Sequence, residues 1–127
     1  MDAAIVGLGI TDVGRVYGRS APDFAADAVR RAVADAGLTL ADVDGLLVSS
    51  GTTRDVDVSL QRRLGLRDLR LLSEMQAFGA TAGAMLGHAA AAVTCGLADV
   101  VACVFADAPL RAGSRPGPPT PVVAGTR

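Results

Sequence analysis

Between Met75 and Ala98 the chain carries no Asp, Glu, Lys or Arg, and no other feature constrains its fold as much. The stretch is rich in alanine and has glycine at positions 79, 83, 87 and 96. Its length raises the question of a membrane span. Gln76, Thr81, His88 and Thr94 speak against one, as does the weak contribution of alanine to insertion. The stretch reads instead as a helix over about residues 79–95, apolar all round and stopped by Gly96. A helix of that kind must be covered all round. One small sheet covers one side, so the remaining cover has to come from more of the same polypeptide or from a partner. One covered face is expected to hold Ala84, His88, Ala91 and Cys95, and another Met85, Ala89 and Ala92.

Around this helix, strand and helix patterns alternate. Residues 3–8 form a continuous apolar run, as in a strand covered on both faces. Ser20, Pro22 and Asp23 predict a capped start for a helix over 22–36. That helix puts Phe24, Ala28, Val29, Ala32, Val33 and Ala36 on one face and pairs Asp27 with Arg31 on the other, before Gly37 ends it. Residues 46–48 predict a second buried strand. A shorter helix follows over 55–64, with acids in its first turn and Arg62 and Arg63 in its last, closed by Gly65. Residues 69–73 and 100–105 predict two more strands.

This order implies an α/β fold with a mostly parallel sheet, right-handed crossovers and a buried central helix. Residues 1–108 read as one partial domain. Residues 109–127 hold five of the six prolines and read as a loop or a truncated connection. No internal repeat is present.

Composition narrows the function. The net charge is −1 with no basic run, so nothing draws the chain to nucleic acid or an anionic membrane. No basic segment precedes the first apolar run, which argues against a secretory signal and for the cytoplasm. Cys95 and Cys103 read as buried free thiols in a reducing compartment, with a disulfide as the lesser alternative. The only aromatic residues are Tyr17, Phe24, Phe78 and Phe105, and the apolar content is mostly Ala, Val and Leu, which predicts tight helix–sheet layers.

Few residues offer chemistry. Gly7-Leu8-Gly9 after the first apolar run invites a dinucleotide fingerprint, but Asp12 stands where its third glycine belongs. The second strand ends in Ser49 and Ser50, not in an acid for a ribose, so tight-turn glycines are the better reading. His88 is the single histidine. Ala84, Met85, Ala91 and Ala92 flank it at helical spacing, so it reads as a core histidine with no metal site.

Two segments carry a resemblance. "AAIVGLGITDVGRVYGRSAPDFAADAVRRAVADAGLTLADVDGLLVSS" resembles the opening of thiolases of the sterol-carrier-protein-x type, and "GLADVVACVFAD" resembles the strand after that family's nucleophile helix. The likeness to the thiolase superfamily runs to about Ala108 and implies the N-terminal part of a thiolase fold that handles acyl-CoA. Catalytic members begin the uncharged helix with a Cys in a Cys-Ala/Ser-Thr/Ser-Gly segment, where a helix N-terminus favours the thiolate. Counting back from Gly96 sets that segment on Gly79, Ala80, Thr81 and Ala82. Gly79 then takes the nucleophile position, or Ala80 after a one-residue gap, and neither is a nucleophile.

The segment "SEMQAFGATAGAM" resembles a branch that also lacks this Cys. Its members are acyl-CoA retro-aldolases that shorten steroid side chains with an OB-fold, zinc-containing partner. The resemblance implies a carbon–carbon lyase acting on steroid or fatty acyl-CoA, with Gly79, Ala80 and Thr81 at the substrate. It implies no cofactor beyond the coenzyme A thioester that is the substrate itself. Much of the family's machinery lies in a C-terminal half, so this chain alone is expected to be inactive and its general base is not named. A non-catalytic thiolase-like scaffold, an acyltransferase completed by another chain and a nucleotide-binding module are the alternatives. The strand at 69–73 matches the one through which thiolases pair, which implies a homodimer or a hetero-oligomer.

Overall fold

A computed structural model describes residues 2–110. Three parallel strands, β1 (Gly45–Ser50), β2 (Leu71–Glu74) and β3 (Val101–Ala106), form one sheet in the order β2-β1-β3. β1 lies between the other two and is buried along its whole length, as a strand with two neighbours and two covered faces must be. Three helices, α1 (Ala21–Asp35), α2 (Leu60–Leu64) and α3 (Thr81–Thr94), flank the sheet. The α/β class and the parallel sheet are therefore as expected.

Local chemistry explains most boundaries. The Ser20 hydroxyl accepts from the Asp23 N–H at 3.2 Å, and the Ser20 N–H donates to Asp23 Oδ2 at 2.9 Å. This reciprocal cap starts α1, with Pro22 in its first turn. Asp27 and Arg31 pair at 3.1 Å. Gly37, Gly65 and Gly96 each take positive φ where a helix ends. α2 is shorter than the expected 55–64. The Asp57 carboxylate accepts from the Ser59 N–H at 2.8 Å, a local turn that competes with helix, so no acid stands in the first turn of α2.

Period-two alternation splits the sheet between two cores. Leu46, Val48, Val104 and Ala106 face α1 and α2, meeting Ala25, Val29, Val33, Leu60 and Leu64 in the larger core. Leu47, Val101 and Cys103 face α3, where Met85 and Ala89, with the partly buried Leu71 and Met75, complete a small cluster.

The first apolar run departs from expectation. Residues 3–8 are not a strand, and Ile5, at 76% exposed, is far from buried. A buried strand needs a neighbour for its backbone groups, and no described strand edge pairs with this run. It lies instead across α1. An added Cβ at Gly7 or Gly9 would overlap the carbonyls of Ala32 and Ala28, so these glycines permit close approach and do not make turns. The Leu8 N–H donates to Asp35 Oδ2 at 2.9 Å, and Arg31 Nη1 donates to the Ile10 carbonyl at 3.0 Å.

The central helix is covered on one side by the described residues. α3 begins at Thr81 after a single 3₁₀ turn over Phe78–Ala80. Its buried stripe is Thr81, Met85, Ala89 and Ala92. Ala84 is half-buried, while His88, Ala91 and Cys95 are exposed, because no described element lies on that side. The core-histidine reading of His88 and the buried-thiol reading of Cys95 are not met within the described residues and rest on the cover expected from outside them. Both cysteines are free, and Cys103 is half-buried. No helix of the described residues is long and apolar enough to cross a membrane. The expected loop at 109–127 lies outside the described residues from 111 onward.

Candidate functional site at the carboxyl edge of the sheet

In open α/β sheets, ligands meet the protein beyond the carboxyl ends of the strands. Each of the three strands here sends a loop out at that edge, and α3, returning antiparallel to the strands, begins there. Side-chain hydrogen bonds tie the loops together. Gln76 Nε2 donates to the Ser50 carbonyl at 2.9 Å, and the Met75 N–H donates to the Val48 carbonyl at 2.9 Å. Gln76 Oε1 accepts from the Phe78 N–H at 3.0 Å. The Thr81 hydroxyl donates to the Phe78 carbonyl at 2.8 Å and accepts from the Ala77 N–H at 3.0 Å.

Between these two side chains, Phe78 is held at φ +50. The left-handed region costs a non-glycine residue about 1–2 kcal/mol. Thr81 is the first residue of α3. No side-chain cap bond is made to α3, and the hydroxyl closes the 3₁₀ turn ahead of it instead.

The three residues expected at the substrate differ in access. Gly79 and Ala80 are exposed and Thr81 is buried. An added Cβ at Gly79 would meet no atom within 4 Å, so space opens directly beside it. The first N–H groups of a helix lack intrahelical acceptors and carry the positive end of its dipole. The Ala80 N–H donates to the Ala77 carbonyl at 3.0 Å and the Thr81 N–H to the Phe78 carbonyl, so the Gly79 N–H is the donor this turn leaves for an oxyanion, with no nucleophilic side chain beside it. Beneath it the Ser49 hydroxyl is fully buried and has no partner among the described residues. Ser49 shares the α3 side of β1 with Leu47 and lies nearer the carboxyl edge.

Asp107, just past β3, organises the other half of this edge. Its Oδ2 accepts from the Thr52 N–H at 2.7 Å and the Thr52 hydroxyl at 2.9 Å. Its Oδ1 accepts from the Thr53 N–H at 3.1 Å and the Thr53 hydroxyl at 2.6 Å. Partial burial works to raise the Asp107 pKa, but the bonds from Thr53 and Thr52 outweigh it and hold the carboxyl below its ordinary value. A Cβ on Gly51 would overlap this carboxylate, which requires glycine there.

Sequence reasoning missed both Gln76 and Asp107. The available signals were a single long polar side chain just ahead of an uncharged helix and an acid closing an apolar strand. Among the described residues no cluster of three or more His, Cys, Asp or Glu is placed to hold a metal.

No family model matches the chain. It is 44% identical over 99 residues to a 17-hydroxy-3-oxo-4-pregnene-20-carboxyl-CoA lyase of Mycobacterium tuberculosis, covering 78% of this chain and 25% of that protein. It is 39% identical over 101 residues to a steroid side-chain-cleaving aldolase of Thermomonospora curvata, covering 80% and 26%. Among solved structures, the Ltp2-ChsH2(DUF35) aldolase superposes with a TM-score of 0.70 at 38% identity, over 80% of this chain and 26% of that one. The 3-oxoacyl-[acyl-carrier-protein] synthase III of Aquifex aeolicus gives 0.62 at 17% identity, over 70% and 30%, a likeness of fold alone.

The fold is thus of the thiolase-like α/β class. Within that class the chain is a relative of the steroid side-chain-cleaving aldolases, and it spans about a quarter of the length of those it matches.

Proposed function

We propose that this chain forms part of an aldolase that cleaves a carbon–carbon bond in a steroid or fatty β-hydroxyacyl-CoA. The observation that carries the reading is the open start of α3 with Gly79 at its centre, in a chain related to such aldolases. In that reaction a base removes the hydroxyl proton and the Cα–Cβ bond breaks. The β-carbon leaves as a carbonyl, and the bonding electrons pass into the thioester as an enolate that is then protonated at Cα. The chemistry needs an enolate stabiliser and a base but no covalent nucleophile.

The backbone N–H of Gly79, at the positive end of α3, supplies the first need, with Thr81 fixing the turn that presents it. The base comes from elsewhere in the assembly. Without a thiol at this position, acyl transfer through an acyl-enzyme has no starting point. The coenzyme A thioester is the substrate and the reaction uses no further cofactor. The assembly is a homodimer through the free edge of β2 or a hetero-oligomer, in the cytoplasm. The name of the Mycobacterium relative sets the hydroxyl on carbon 17 and the thioester carboxyl on carbon 20. A fused-ring acyl group with its hydroxyl on the ring carbon that bears the side chain is the substrate class that this favours here.

The test is to isolate the native assembly and give it a β-hydroxyacyl-CoA and, separately, a β-ketoacyl-CoA with free coenzyme A. The expected result is cleavage of the hydroxyacyl substrate to a carbonyl compound and a shortened acyl-CoA. Intact mass should show no acyl adduct on this chain. A stable adduct, or thiolysis of the ketoacyl substrate, would sink the reading.

A further inference from the structure

Phe78 is the anomaly of this edge. It is 87% exposed, although aromatic side chains are scarce in the chain. Its backbone is strained at φ +50, and both of its backbone polar groups are bonded by side chains, the N–H by Gln76 and the carbonyl by Thr81. A conformation that costs energy and is braced from both sides marks a position where geometry matters. What the brace achieves is to hold a phenyl ring out in the open beside Gly79.

We propose that Phe78 is a specificity-determining residue, whose ring forms the wall against which the bulky apolar acyl group of the substrate packs. The inference rests on the aldolase reading, which sets the thioester carbonyl at Gly79. In a β-hydroxyacyl thioester the hydroxyl-bearing carbon is two bonds from that carbonyl. Where that carbon belongs to a fused ring, the ring system begins within a few ångströms of the Gly79 N–H. The side chain next to Gly79 in the chain is therefore next to the ring. A rigid aromatic face suits a flat alicyclic surface, because it adds contact area while losing little side-chain freedom. Gln76 and Thr81 act through Phe78 as positioning residues. The free space at Gly79 leaves room for the acyl group to approach.

The experiment uses the native assembly and two β-hydroxyacyl-CoA substrates, one with a fused-ring acyl group and one with a short branched acyl group. Phe78→Ala should lower kcat/KM for the fused-ring substrate by at least about tenfold, the loss appearing in KM, which matches the lost burial of one aromatic ring. The short substrate should stay within about twofold. Phe78→Leu, which keeps apolar bulk, should recover most of the fused-ring activity. Equal loss for both substrates would mean that the residue only supports the turn, and no change for either would mean that the ring touches nothing; each overturns the proposal. A weakened subunit association with selectivity intact would assign the ring to a partner surface and overturn it too. If the wild-type assembly cleaves neither substrate, the aldolase reading itself falls and takes this inference with it, an outcome visible before any variant is made.

Discussion

Leu46 and Leu47 are consecutive in β1 and both are fully buried, yet they sit in different surroundings. Leu46 points into a core built from two helices and one further strand, β3, with Ala25, Val29, Val33, Leu60 and Leu64 among its members. Leu47 points at a single helix, and its cluster of buried residues is completed by Met85 and Ala89 alone. The α1 face of the sheet is closed within this chain. The α3 face is one helix deep, and beyond that helix lies an uncharged surface that includes Gly83, Leu86, Gly87 and Ala91. A charged residue is cheap on a solvated helix face, so its absence from this one implies a cover that the described residues do not provide. One face of the sheet is a finished core and the other is half of an interface.

Neighbouring alanines on α3 offer the sharpest way to break this contrast. Ala92 is buried and Ala91 is exposed. Ala92→Arg forces an unpaired charge into the sheet-facing side and should abolish soluble expression, a loss beyond about 4 kcal/mol. Ala91→Arg should leave the melting of the isolated chain within about 0.5 kcal/mol of wild type. The same change should stop the native assembly from forming, as read by sedimentation. Normal assembly of Ala91→Arg would show that the outer face of α3 stays open to solvent.

The two leucines come next. Leu46→Ala should cost about 3–4 kcal/mol in urea unfolding, because the larger core can close only partly around the space left behind. Leu47→Ala should cost about 2 kcal/mol, since α3 can settle onto the sheet with little on its far side to hold it back. Equal costs would mean that α3 is as firmly fixed as α1.

The same contrast explains what could be read from the sequence. α1 was legible to within a residue because its start is a local matter of Ser20, Pro22 and Asp23. The uncharged helix was legible as an element, and so was its need for cover. Which of its faces this chain would cover was not, because the missing cover lies outside the described residues. The run at 3–8 reads as a buried strand by composition, but strand pairing requires a neighbour at hydrogen-bonding distance, and that is a tertiary fact. The helix over 55–64 lost its first half to the Asp57–Ser59 turn, a side-chain competition that propensity averages over. Gly79 was placed by resemblance, and the structure shows the open space beside it. Gln76 and Asp107 were invisible because their bonds span 26 and up to 55 positions, farther than any local pattern reaches.

A smaller effect separates the two halves of the carboxyl edge by pH. Asp107 has a folded pKa below the ordinary value of about 3.9. Its contribution to stability is therefore fully present above that value and is lost as pH falls through the lowered one. Urea unfolding should weaken over this window. Asp107→Asn should remove that part of the pH dependence and leave the network around Gln76, which contains no titratable group, unchanged. A window that survives the substitution would assign it to another carboxylate.

The smallest expected effect concerns strain. Phe78 and Arg54 are the non-glycine residues with positive φ among those described, at +50 and +52, and both are exposed. Replacing either by glycine relieves a left-handed conformation worth about 1–2 kcal/mol but adds chain freedom to the unfolded state worth about 0.5–1 kcal/mol. Neither side chain lies in a core, so little packing is lost in return. Phe78→Gly and Arg54→Gly should each raise stability by roughly 0.5 kcal/mol, measured as a small shift in urea midpoint at unchanged slope. The two should then part in function. Arg54→Gly should leave the native assembly's cleavage of a fused-ring substrate unaltered, whereas Phe78→Gly should stabilise the chain and weaken that cleavage together. A residue kept at a cost to stability, whose relief impairs one substrate class, is held there for the substrate. A Phe78→Gly variant that is less stable than wild type would instead show that the ring is buried against a partner, and the half-interface would extend to the first turn of α3.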